Sequence, residues 1–375
     1  MKILYIITKA VVGGAQMSVL NLAREMKKRG HEVSVGFGEG DFLPAELAKE
    51  NIPFIKFKNL RRTHNPFYPL FFIFEIKKYL SNKNLDVIHF NSSNALPGAL
   101  GVKLFNNKIK TVFTFRGMSM LDEHYEAGKL KKLFYFLFFK FFLLFVDVPV
   151  FVSQENFDKF GQGALVDNGV MIHNGLDPNN LDFLSRDEVR NFFSQKIKED
   201  LSDKYVIGSI GRLHYQKNYE FLINIFPEIL RIRPDARAVI VGEGPERRLY
   251  EDLIRKNNLE EKIFLFGSLD NGGRYLKGFD VLALPSRYEG LSITLIEALF
   301  AGSPVLASDV GGNREEISFP EAEIYSLDNK KEFLEKFSLL QVVEILEKIK
   351  NGNKILAEEF NLKKTADSYE KNYGK

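Results

Sequence analysis

Short apolar runs alternate with helical periodicity from one end of this chain to the other, and that alternation confines it to α/β layering around parallel sheets. Residues 2–7, 32–37, 86–90, 110–115 and 148–152 read as strands. Their apolar content is near-continuous, as expected of strands covered on both faces. Between the first two, Gln16–Lys28 carries Val19, Leu20, Leu22, Ala23 and Met26 along one face and stops at Gly30, a helix with a glycine end. A second series runs through Tyr205–Ile210, Ala238–Val241, Ile263–Phe266, Val281–Leu284 and Val305–Ala307. The polar, charged stretch 180–203 separates the two series and predicts the interdomain connection. A chain of 375 residues exceeds one ordinary core, so two Rossmann-like domains with a cleft between them are expected.

Other features narrow the class. The chain has no cysteine, which removes disulfides, cysteine-ligated metals and thiol nucleophiles. The opening Met1–Ile7 run is too short for a signal peptide and reads as a buried strand. Residues 1–185 carry 23 Lys and Arg against 17 Asp and Glu, while the whole chain is only +3. The stretch from Leu133 to Val146 holds seven phenylalanines around Lys140. A bilayer span needs about 20 apolar residues, so this predicts a helix buried in a domain. The sharper alternative leaves an aromatic face exposed, with Lys129, Lys131 and Lys132 at the level of lipid headgroups. Arg61, Arg62, Asn65-Pro66-Phe67-Tyr68, Phe71 and Phe72 make the same suggestion more weakly.

Two segments carry chemistry. Gly208-Ser209-Ile210-Gly211-Arg212 ends a strand in a glycine turn, and Lys217 follows five residues after Arg212. Two cations at the mouth of a sheet suit a diphosphate, although alone they would read more readily as solvated loop residues. The second segment is Ser286 to Ala298, a glycine turn leading into an apolar-periodic helix. The backbone N–H groups of Gly290, Leu291 and Ser292 would stand at its positive end. Glu289 precedes the helix and can accept hydrogen bonds from a sugar, while Glu297, at most about 12 Å further along the axis, reaches a ribose. The plainer reading of Glu297 is a salt bridge within its helix.

The stretch Glu289–Glu297, followed by Ala301-Gly302-Ser303-Pro304 and Ser308-Asp309-Val310-Gly311-Gly312, resembles the E-x7-E region of retaining GT-B glycosyltransferases of family 4. Gly211-Arg212 with Lys217, Val241-Gly242-Glu243-Gly244-Pro245, and Ile172-His173-Asn174-Gly175 extend the likeness. Gly13-Gly14-Ala15-Gln16 resembles the glycine loop of bacterial members that build surface polysaccharides, and places Gly14 in the donor set. The resemblance implies an acceptor domain over 1–185, a donor domain over 200–355, and a closing helix over 356–375 that crosses back to the first domain. It implies that Arg212 and Lys217 stabilise a diphosphate leaving group, that Glu289 holds the transferred sugar and that Glu297 holds the ribose. It implies a UDP- or GDP-linked sugar as donor and a glycan or lipid-linked acceptor. Neither a cofactor, a metal nor a nucleic acid is expected, and no D-x-D triplet occurs in the sequence. The expected place is the cytoplasm, peripheral to the inner face of the membrane.

The pattern departs from the family's at two points. Phe113-Thr114-Phe115-Arg116-Gly117 places Arg116 where relatives carry a histidine, and Asn91 stands where many carry a second one. Arg116 and His89 join Glu289 as candidate catalytic residues, although His89 reads equally as a strand-end hydrogen-bonding residue. Gly242-Glu243-Gly244-Pro245 lacks the third glycine of a dinucleotide fingerprint, and no G-x-x-x-x-G-K-[ST] occurs, which sets aside oxidoreductases and P-loop enzymes. A binding relative that has lost turnover, and a sugar-nucleotide epimerase, remain as alternatives.

Overall fold

The computed structural model describes residues 1–374 other than 64, 66 and 119. Pro66 of the second aromatic-basic patch, and Lys375, therefore lie outside the described residues. The chain divides into two compact units, Met1–Asp177 with Phe360–Lys375, and Pro178–Glu359.

The first unit is built on β1 (Lys2–Lys9), β2 (Glu32–Glu39), β3 (Phe54–Lys56), β4 (Val87–Phe90), β5 (Lys110–Phe115), β6 (Val148–Phe151) and β7 (Val170–Met171). They form one sheet in the order β3-β2-β1-β4-β5-β6-β7, each neighbouring pair parallel. Alternation along β1 splits the core. Ile3, Tyr5 and Ile7 pack with helix Gly14–Lys28 and with Tyr369 and Tyr373 of helix Leu362–Tyr373. Leu4 and Ile6 point to the other face, among Phe72, Ile76, Ala99, Val102, Phe139 and Leu143 of helices Phe67–Leu80, Gly98–Phe105 and Lys129–Leu143. Both faces are covered, which is why the strands read as unbroken apolar runs.

The second unit repeats the scheme with β8 (Tyr205–Ile210), β9 (Ala236–Val241), β10 (Ile263–Gly267), β11 (Val281–Leu284), β12 (Val305–Ser308) and β13 (Ile324–Tyr325), ordered β10-β9-β8-β11-β12-β13. Ile207, Ala238, Ile240, Val281 and Ala283 face helix Tyr219–Ile232. Val206, Val239, Val241, Leu282 and Leu284 face helices Arg186–Ile197 and Ile293–Ala301.

Each expected strand is present; β3, β7 and β13 are additions. They hold three, two and two residues at or near sheet edges, too few for any periodicity to register. The apolar stretch beginning at Leu133 departs from a fully buried helix. Phe139 and Leu143 are enclosed, but Leu133, Phe134, Leu137, Phe141 and Leu144 are all exposed. Among the described residues no helix is long and apolar enough to cross a membrane. The closing helix starts at Leu362, not near 356. Asn361 caps it by accepting the Lys363 amide at 3.0 Å, and a separate helix, Val343–Ala357, precedes it.

Both sheets reverse strand order beside their first strand, between β1 and β4 and between β8 and β11. Open parallel sheets leave a crevice at the carboxyl ends of strands at such a point, because the connections there diverge to opposite faces.

Candidate active site

In the second unit the reversal brings the loop after β8 against the loop after β11. A three-residue 3-10 turn, Tyr215–Lys217, follows β8, and the Gln216 amide donates to His214 Nδ1 at 3.2 Å. Asn218 closes the turn in the left-handed region, with φ 54°. Lys217 Nζ is thereby directed at Glu289 Oε1, 2.7 Å away. The same oxygen accepts Ser286 Oγ at 2.7 Å, while Glu289 Oε2 accepts Gln216 Nε2 at 3.2 Å. Gln216 Nε2 also donates to the Tyr288 carbonyl at 3.0 Å, and Arg287 lies 4.0 Å over the Tyr215 ring while donating to the Tyr215 carbonyl at 2.6 Å. The two loops are therefore one hydrogen-bonded body, with Lys217 and Glu289 mostly withdrawn from solvent at its centre. Gln216, Ser286 and Arg287 were not among the residues expected from sequence; their role shows only once the loops meet.

The loop after β12 closes on the same turn. A Cβ at Gly311 would lie 2.2 Å from the Glu289 carbonyl oxygen, and its φ of +55° is one that side chains disfavour, so glycine is required there on both counts. The Gly312 amide donates to the Gly290 carbonyl at 2.9 Å.

Of the three amides expected at the positive end of helix Ile293–Ala301, the Ser292 amide is already taken. It donates to Oε2 of the buried Glu316 at 2.7 Å. Burial pushes the Glu316 carboxyl well above the usual range, against the pull of that amide. Among the described residues, the amides of Gly290 and Leu291 have no internal acceptor. This end of the helix thus presents two open donors, the third being bonded to Glu316.

Glu297 lies on the same helix and forms no salt bridge within it. Its carboxyl group packs against Gly273, where a Cβ would stand 2.7 Å from either oxygen, and burial raises its pKa to about 7. Arg212 is exposed, and among the described residues its side chain has no internal partner.

The first unit holds the remaining candidates. Gly14 opens helix Gly14–Lys28 after β1 and is exposed, and the nearby Gln16 side chain donates to the Lys9 carbonyl at 2.8 Å. His89 does not reach a ligand surface: it is wholly buried, Nδ1 pairs with the Tyr373 hydroxyl and Nε2 with the Thr114 hydroxyl, both at 2.7 Å. Burial, with the Arg116 charge added, holds its pKa well below the ordinary histidine range. With both nitrogens occupied and a neutral ring, it is the strand-end hydrogen-bonding residue of the two readings. Arg116, by contrast, reaches solvent in part. Its Nε and Nη2 donate to Asn91 Oδ1 at 3.2 and 2.8 Å, and its Nη1 donates to Asn174 Oδ1. Asn91 follows β4, Arg116 follows β5 and Asn174 follows β7, so the cluster collects three strand ends.

Among the described residues no group of acidic or histidine side chains is arranged to hold a metal ion.

Comparison with known proteins is consistent across both units. Residues 12–180 match the family described as Glycosyltransferase Family 4, and residues 190–339 match Glycosyl transferases group 1. The O-antigen biosynthesis glycosyltransferase WclY of Escherichia coli is 25% identical over 83% of this chain and 80% of its own. An N-acetylgalactosaminyltransferase of Campylobacter jejuni that acts on a diphospho-undecaprenol-linked sugar is 27% identical over 87% of this chain and 83% of its own. The fold matches the Anabaena protein HepE in complex with UDP and glucose with a TM-score of 0.83, at 19% identity, over 100% of this chain and 99% of that one.

Proposed function

The chain is a glycosyltransferase with a family 4 first half and a group 1 second half, and from that premise we propose that its second unit binds a nucleotide-diphosphate sugar and activates it without a metal. The observation that carries this reading is the Lys217–Glu289 pair, fixed at 2.7 Å beside the two open amides of Gly290 and Leu291. A diphosphate approaching those amides meets Lys217 and Arg212, and negative charge that builds on the leaving group is met by cations already in place. Glu289 has about four lone-pair positions and spends three on Lys217, Ser286 and Gln216. One stays open to a sugar hydroxyl, and the three internal bonds hold the carboxylate in position for it. Glu297, packed on Gly273, would accept the ribose hydroxyls. Transfer with retention fits an acceptor attacking from the face the diphosphate leaves, and in this reading Glu289 orients the sugar rather than attacking it.

The acceptor side rests on the first unit. The relatives that build O-antigen, or extend a sugar on a diphospho-undecaprenol, support a glycan or lipid-linked acceptor in bacterial surface-glycan synthesis. The first unit also supports residence in the cytoplasm at the inner face of the membrane. Helices Phe67–Leu80 and Lys129–Leu143 expose Phe67, Phe71, Phe74, Phe134 and Phe141, with Lys77, Lys78, Lys129, Lys131 and Lys140 exposed along the same helices. Lys132 does not join them, since its Nζ donates to the Asp122 and Glu123 carbonyls.

The decisive experiment is a donor panel of UDP- and GDP-sugars assayed for transfer and hydrolysis with chelator present. Turnover should persist. Activity that vanishes with chelator and returns with a divalent ion would overturn the metal-free reading. Lys217→Ala and Glu289→Ala should each cost about 10²–10³-fold in kcat while the chain stays folded. A near-normal rate in either variant removes that residue from the site.

A further inference from the structure

Arg116 is a positive charge held in place without a negative one to answer it. Three of its bonds go to amide oxygens of Asn91 and Asn174, which are neutral, and among the described residues no carboxylate pairs with it. The other ionisable groups sharing this strand end add no countercharge. His89 is held neutral, and burial raises the phenols of Tyr5, Tyr369 and Tyr373. A guanidinium has five N–H donors, and partial burial without a partner costs free energy that an incoming anion would relieve. Nor is the group free to turn away. Asn91 and Asn174 are buried, and Asn91 Nδ2 donates to the His89 carbonyl at 3.0 Å, so the clamp itself is anchored.

We propose that Arg116 is the receptor for an oxyanion, phosphate or carboxylate, carried by the acceptor substrate. The assignment to the acceptor rests on the donor reading above. There the donor's diphosphate is matched within the second unit by Arg212, Lys217 and two amides, so an anion at Arg116 is a second one. A sugar linked through a phosphate, and a sugar acid, both supply it. The asparagine clamp sets the direction from which the remaining N–H groups can be reached, and a bidentate approach distinguishes this site from a lone lysine.

The test uses the full chain with its nucleotide site filled by excess UDP or GDP. Methyl glucoside, methyl glucuronoside, glucose 1-phosphate and a farnesyl-diphosphate-linked sugar are titrated in turn. At least one anionic probe should bind about tenfold or more tightly than the neutral glycoside, equivalent to one step of the affinity scale. The carboxylate and phosphate arms tell the two sources apart. Arg116→Gln should abolish the preference, and Arg116→Lys should keep part of it. The sharper variant is Asn174→Asp, which leaves Arg116 present but gives it an internal counter-ion. If Arg116 only braces the fold, Asn174→Asp keeps or raises the melting temperature and leaves the preference intact. If it receives an anion, the fold holds and the preference disappears. No preference in the unmodified chain, or a preference that survives both Arg116→Gln and Asn174→Asp, overturns the proposal. Failure of either nucleotide to bind would count against the donor reading alone, and the same titrations then proceed without nucleotide.

Discussion

Lys217 and Glu289 neutralise each other, and each is also the other's scaffold. Removing one strands a largely buried charge on the other, so single alanine variants overstate what the pair contributes. The comparison between Glu289→Ala and Glu289→Gln is cleaner, since glutamine keeps the Ser286 contact. We expect Glu289→Gln to retain more stability than Glu289→Ala with a similar loss of transfer, read by thermal melting beside kinetics. Glu297 yields a pH prediction of definite sign. Its folded-state pKa of about 7 lies above the unfolded carboxylate value, so the folded chain binds more protons between those values. Stability from this group is complete below the unfolded value and is lost as pH rises through about 7. Glu297→Gln should therefore raise the melting temperature by a few degrees near pH 8 and by nothing near pH 4. An increase of equal size at both pH values would contradict it.

Helix Lys129–Leu143 shows at the level of elements how composition and arrangement differ. Its composition resembles a buried segment, yet only Phe139 and Leu143 are fully enclosed, with Tyr135, Phe136, Phe138 and Phe142 half-buried against the same core, because a helix beside a sheet can bury one stripe. Phe134 and Phe141, with Leu133 and Leu137, are left for something outside the unit. If that is an anionic bilayer, Phe134→Asp with Phe141→Asp should weaken binding to anionic liposomes about tenfold or more at low salt, measured by co-sedimentation. Unchanged binding would leave this face unexplained. The loops after β8 and β11 show the converse. Their residues 211–217 and 286–292 are recognisable in sequence as a glycine turn and a helix start, but their mutual contact follows from strand order. Nothing local to Lys217 indicates that a residue 72 positions away is its partner.

For the molecule as a whole, the last helix is the element that joins distant sequence. Tyr369 and Tyr373 enter the core of the first unit beside Tyr5, and Tyr373 supplies the hydroxyl that fixes His89. Arg29 pairs with Asp367 at 2.6 Å and Glu370 at 3.0 Å. Ending the chain after Phe360 should therefore destabilise the first unit, leaving His89 Nδ1 without its partner at a cost of about 1–3 kcal/mol besides the exposed apolar surface. Tyr373→Phe should show the hydrogen-bond part alone. Hydrogen exchange should localise the loosening to β1, β4 and β5, and uniform loosening across the second unit as well would argue against it.

Strand runs, the helix after the first glycine pair and the two-series organisation could all be read directly from the sequence. They arise from period and from turn residues, which are local properties. Glu289 and Lys217 themselves are legible as well, because a glycine turn before a helix is a local pattern, whereas Gln216 and Ser286 join them only through the fold. What only the tertiary structure decided is which of those groups remain available. Glu316 removes the Ser292 amide, Tyr373 and Thr114 enclose His89, and two asparagines from separate strand ends clamp Arg116. Each of these depends on residues far apart along the chain meeting near the carboxyl ends of strands, and strand order, not neighbouring sequence, sets who meets there.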